Sequence, residues 1–102
     1  MFIVHLIYKA PITEVDKYLQ AHREFLDYYY KQGLLLVSGP MKPRTGGILV
    51  ALTTDRAHLE SILKQEPYYL ADIADYQLFE FTPIKHRNEL DDLIDKTEGN
   101  LC

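Results

Sequence analysis

Two side chains in this sequence have the type and placement to move a proton: His22 and Glu66. Between Ile12 and Lys31, residues Ile12, Val15, Tyr18, Leu19, Phe25, Leu26 and Tyr29 recur at three- and four-residue intervals, the spacing of one helix face. His22 falls three after Leu19, three before Phe25 and four before Leu26, inside that apolar stripe. An imidazole there needs a partner, because a polar group buried without a hydrogen bond costs roughly 1–3 kcal/mol. Glu66 is placed to be that partner. It ends a second predicted helix and directly precedes Pro67, which biases it away from helical dihedrals. A carboxylate would hold the imidazole in one tautomer and favour its charged form, while burial would oppose the charge. Such opposed influences suit general acid–base work near neutral pH. The same residues also read as a satisfied core histidine and an exposed helix-end acid. Spacing alone leaves both readings open.

Other candidates surround the pair. Lys42 and Arg44, in the loop before Gly46-Gly47, could hold an anionic group, and Ser38 could donate a hydrogen bond at a pocket mouth. A solvated hairpin loop is the simpler account of them. Tyr68 and Tyr69, beside Glu66, could wall a pocket for a flat ligand or simply pack against the helices. There is no glycine-rich phosphate loop, serine elbow, zinc spacing or paired-carboxylate motif, so neither metal nor cofactor is expected. Of the other histidines, His5 lies on a strand, while His58 and His86 have polar neighbours. Cys102 is the single cysteine and the last residue, which leaves no internal disulfide or thiolate metal site and suits a reducing cytoplasm.

Length and charge bound the rest. A chain of 102 residues makes one domain and buries roughly 60–65% of its unfolded surface. Eleven Lys and Arg are scattered among fifteen acids, for a net charge of −4, which argues against nucleic acid as a partner. The apolar run Phe2–Tyr8 is too short for a membrane span or a signal core. A soluble, cytoplasmic protein is expected.

The elements that must position the pair follow in order. Phe2–Tyr8 reads as a strand, residues 12–31 as one long helix, and Gly33 as its stop. Leu34–Val37 and Ile48–Leu52 read as strands flanking an irregular loop, residues 39–47. Asp55 or Thr54 can cap a helix from Arg56 to about Gln65, a helical turn covers residues 68–72, and Tyr76–Thr82 is the fourth strand. This β-α-β-β-α-β order is the ferredoxin-like arrangement: an antiparallel four-stranded sheet with two helices on one face, in the α+β class. Residues 1–83 form the domain. Residues 84–102 form a tail with an amphipathic fragment around Leu90, Leu93 and Ile94 and a frayed Gly99-Asn100 end. The first and third strands are apolar on both sides, yet helices cover only one. An uncovered face drawing on Phe2, Val4, Leu6, Ile48, Val50 and Leu52 calls for a second copy, hence a homodimer of the α+β barrel kind.

His22 with Phe25-Leu26, Gly33-Leu34-Leu35-Leu36, Ser38-Gly39-Pro40 and Glu66-Pro67-Tyr68 resemble the pattern of the YciI-like (YCII-related) family. Its members carry a His followed by Phe-Leu on the first helix, Gly-Pro after the second strand and Asp-Pro-Phe after the second helix. The resemblance spans residues 1–83. It implies a dimeric α+β barrel with a pocket beside the His and the acid, which would act as an acid/base pair. This chain departs from the pattern at Glu66, where Asp is usual, so the carboxylate stands one methylene further out. The expected function is cofactor-independent acid/base chemistry, proton abstraction or elimination, on a small organic substrate. His22 and Glu66 would carry it, with Ser38, Tyr68, Arg44 and Lys42 binding the substrate. The alternative is a non-catalytic dimeric module that binds a small molecule or a protein, with His22 structural. Oxygenase chemistry, found in other dimeric α+β barrels, ranks third.

Overall fold

The computed structural model describes residues 1–99 and is centred on β1 (Phe2–Tyr8). Its neighbours are β3 (Gly46–Ala51) on one side and β4 (Ala74–Glu80) on the other, both antiparallel, with β2 (Leu35–Pro40) outside β3. The sheet order is β2-β3-β1-β4, the ferredoxin-like arrangement expected from the sequence.

The helices within residues 12–70 lie on one face. Phe2, Val4, Leu49 and Ala51 form a core with Leu26 of α2 (Leu19–Lys31) and with Leu59 and Leu63 of α3 (Arg56–Leu63). A second cluster joins Leu6 to Val15 of α1 (Ile12–Asp16), Tyr68 of α4 (Pro67–Leu70) and Ile73. The long first helix is therefore two helices, parted at Lys17 and Tyr18. There Lys17 and Tyr18 donate back to Glu14 and Val15, closing tight three-residue turns. The break lets Val15 serve one cluster and Leu26 the other, and it leaves Ile12 and Tyr18 exposed instead of on the inner face.

Two strands are longer than their apolar runs. β2 continues through Ser38-Gly39-Pro40, and β3 begins at Gly46. Gly46 opposes Ile7, and a Cβ there would stand 1.9 Å from the Leu6 carbonyl oxygen, so only glycine lets the chains approach. Gly33, at φ +80°, ends α2 as expected, with Leu34 N–H donating to the Tyr29 carbonyl. Asp55 caps α3 by accepting from the His58 N–H at 3.0 Å.

On β1 the uncovered face carries the opposite residues from those expected, while on β3 it carries Ile48 and Val50 as expected. Phe2, Val4 and Leu6 point to the helices, and Ile3, His5 and Ile7 point away, beside Ile48 and Val50. Both sides of β1 are apolar, so alternation could not set the phase. Leu52 lies beyond the end of β3. Pairing adds Val37, opposite Val50, and Phe79, opposite Ile3, to this face. Val37 and Phe79 are 55% and 48% exposed.

After β4 come a 3-10 turn, Asn88–Leu90, and α5 (Asp91–Glu98), whose Ile94 is buried and whose Glu98 pairs with the Met1 ammonium at 2.9 Å. Of the expected frayed Gly99-Asn100 end, Asn100 lies outside the described residues, as does Cys102.

Candidate functional site

Glu66 is 0% exposed, and its backbone explains why it sits where it does. Pro67 occupies the first position of α4, where its missing N–H costs nothing, and it holds Glu66 extended at φ −69°, ψ 133° as the N-cap. Oε2 accepts from the N–H groups of Tyr68 at 2.9 Å and Tyr69 at 3.3 Å, satisfying the helix end. It also accepts the hydroxyl of Tyr76, reaching in from β4. Oε1 accepts from Nδ1 of His22 on α2. The buried carboxylate thus has four donors, the condition under which burying such a group is tolerated. Glu, with its extra methylene, makes the contact to His22.

Because Nδ1–H donates to Glu66, the ring nitrogen left for a ligand is Nε2, which has no hydrogen-bond partner among the described residues. The imidazole is 13% exposed and lines a cavity of about 450 Å³ between α2 and the β1, β2 and β3 strands. One face of the ring is covered by Tyr68, with centroids 4.1 Å apart and planes 9° from parallel. Tyr68 meets the edge of Tyr8 at 6.1 Å. Burial pushes the Tyr68 phenol up to about 12, and Tyr76 is raised further by burial and the neighbouring Glu66 charge, so both are donors at neutral pH.

The structure gathers five of the six residues picked from the sequence at this cavity. His22, Ser38, Arg44 and Tyr68 line it, and Glu66 lies behind His22. Ser38 Oγ is 2.6 Å from the Tyr30 hydroxyl. Arg44 Nη2 is 2.7 Å from Asp16 Oδ1, and its guanidinium sits 5.7 Å from the Tyr8 ring centre. Lys42 is exposed on the loop and is not on the cavity wall.

Sequence reasoning missed Tyr76, Tyr8 and Arg23. Tyr76 shares the inward phase of Ala74 and Leu78, and an inward tyrosine needs a partner for its hydroxyl; that was the available signal. Among the described residues, no group of three or more His, Cys, Asp or Glu is placed to hold a metal ion, and no helix is long and apolar enough to cross a membrane.

Comparison with known proteins adds two findings. Among solved structures the chain is similar to 5-chloro-2-hydroxyhydroquinone dehydrochlorinase (TftG) from Burkholderia phenoliruptrix AC1100, in complex with 2,5-dihydroxybenzoquinone. The TM-score is 0.67 at 17% identity, over 87% of this chain and 98% of that one, a likeness of fold. No curated protein matches. Residues 1–82, four-fifths of the chain, match the model of the YCII-related domain, and the chain belongs to the YCII-related family.

Proposed function

We propose that this chain is an acid/base enzyme that abstracts a proton from, or eliminates a small group from, a small organic compound. His22 is the catalytic base and Glu66 its positioning carboxylate. One observation carries the reading: a fully buried glutamate fixes Nδ1 of a cavity-lining histidine, leaving Nε2 for the ligand. Nε2 takes a proton from a C–H or O–H of the bound compound. The electron pair of that bond stays on the compound as an enolate, or expels a leaving group such as halide. The imidazolium so formed is compensated by Glu66, and it faces the Tyr68 ring, whose π-face attracts cations. The similar dehydrochlorinase supports the reading, since loss of hydrogen chloride is an elimination and its bound compound is a small oxygenated ring.

A thermal-shift screen of hydroxylated ring compounds and small organic acids, on wild type and His22→Gln, tests it. Compounds that stabilise the wild type should be turned over by it and bound but not turned over by the variant. A variant that unfolds, with no compound turned over by the wild type, favours instead the binding module with a structural histidine.

We also propose that a second copy covers the open sheet face. Ile7, Val37 and Phe79 are exposed there together, and apolar patches of this kind mark interfaces.

A further inference from the structure

The ionised side chains that line the cavity are cationic, with the Glu66 carboxylate behind them, tied to His22. The sequence carries a net charge of −4, yet no Asp or Glu lines the cavity, while Arg23 and Arg44 do. The two guanidiniums differ. Arg44 is already neutralised by Asp16 and held over Tyr8. Arg23, next to His22 on α2, makes no ion pair and no side-chain hydrogen bond among the described residues. The same wall holds a second unspent donor: Tyr68 is 1% exposed, and its hydroxyl is buried without a partner. A buried hydroxyl left so costs free energy unless a water or a ligand oxygen accepts from it.

From these placements we propose that the cavity takes a small organic anion and that Arg23 is the residue that recognises its charge. The inference rests on the acid/base reading of the same cavity and names its substrate class. The ligand's body meets apolar wall from Leu6, Leu26 and Leu49, and its ionised oxygen meets Arg23. The same guanidinium compensates the negative charge that proton abstraction leaves on the ligand. Arg23 thus takes the part that the sequence suggested for Lys42 and Arg44.

The test uses 2,5-dihydroxybenzoquinone, whose hydroxyls are conjugated to carbonyl groups and ionise as acids do, and the neutral 2,5-dimethoxybenzoquinone. Calorimetric titration of wild type should show the ionised compound preferred, and the preference should weaken as salt screens it. Arg23→Gln should lose about tenfold in affinity for the anion, the equivalent of about 1.4 kcal/mol, and bind the neutral compound unchanged. Arg23→Lys should keep part of the preference. The side chain is exposed and unpaired among the described residues, so both variants should melt with wild type. Undiminished affinity of Arg23→Gln for the anion, or no preference in the wild type, overturns the inference. Failure of the acid/base reading shows elsewhere, as turnover by His22→Gln, whatever Arg23 does to affinity.

Discussion

His22 lies flat on Tyr68, their rings 4.1 Å apart and 9° from parallel, while its Nδ1 is tied to Glu66. The two contacts fix different freedoms. Stacking sets the plane of the imidazole, and the carboxylate sets its rotation within that plane. Nε2 is thereby aimed by two neighbours that are consecutive but for Pro67, so a single turn, Glu66-Pro67-Tyr68, organises the base. Preorganisation of this kind removes the entropic cost of orienting a catalytic group during reaction.

The raised tyrosines give an alkaline signature. An unfolded tyrosine releases its proton near pH 10, whereas folded Tyr68 holds it to about 12, chiefly because burial penalises the phenolate. Tyr76 is shifted in the same direction. Between those values the unfolded chain has fewer bound protons than the folded one, so stability present below about pH 10 falls as pH rises. Urea denaturation from pH 8 to 11 should show this decline, and Tyr68→Phe should flatten part of it. Identical pH slopes in the two proteins would refute the assignment.

Glu66 is expected to be the most sensitive polar position. Tyr76→Phe removes one donor to a buried carboxylate and should cost about 1.5–3 kcal/mol. Glu66→Gln should cost more. An amide turns an N–H toward at least one of the four donors that now converge on oxygen. Denaturant titration at neutral pH measures both. Changes below about 0.5 kcal/mol in each would mean the network is not formed in solution.

The open face predicts self-association. Wild type should have the light-scattering mass of two chains at micromolar concentration, and Val37→Lys with Phe79→Lys should reduce it to one. Both side chains are exposed on the sheet, so folding should survive the change. A wild-type mass of a single chain would contradict the proposed dimer.

Much of this architecture was legible in the residues. The order of strands and helices follows from apolar periodicity and from the breaks at Gly33, Asp55 and Pro67, and the need of a buried imidazole for a partner made the His22–Glu66 contact one of two open readings. What escaped depended on three-dimensional pairing. The phase of β1 was invisible because both its sides are apolar, and the parting of the first helix served two core clusters that only the fold separates. Gly46 joined the strand because backbone approaches it too closely for a side chain. Tyr76 reaches Glu66 from a strand distant in sequence, and Arg23 joins the cavity wall beside His22 on a face that helical spacing reads as solvated.

Nε2 of His22 is the proposed base. Its most direct measurement is incorporation of deuterium from heavy water into compounds bound by the wild-type protein, followed by proton NMR, beside His22→Gln under the same conditions. The account predicts exchange, or release of the leaving group, with wild type, and a loss of at least about a hundredfold in the variant, which should still fold and bind. Equal rates in the two proteins would contradict it.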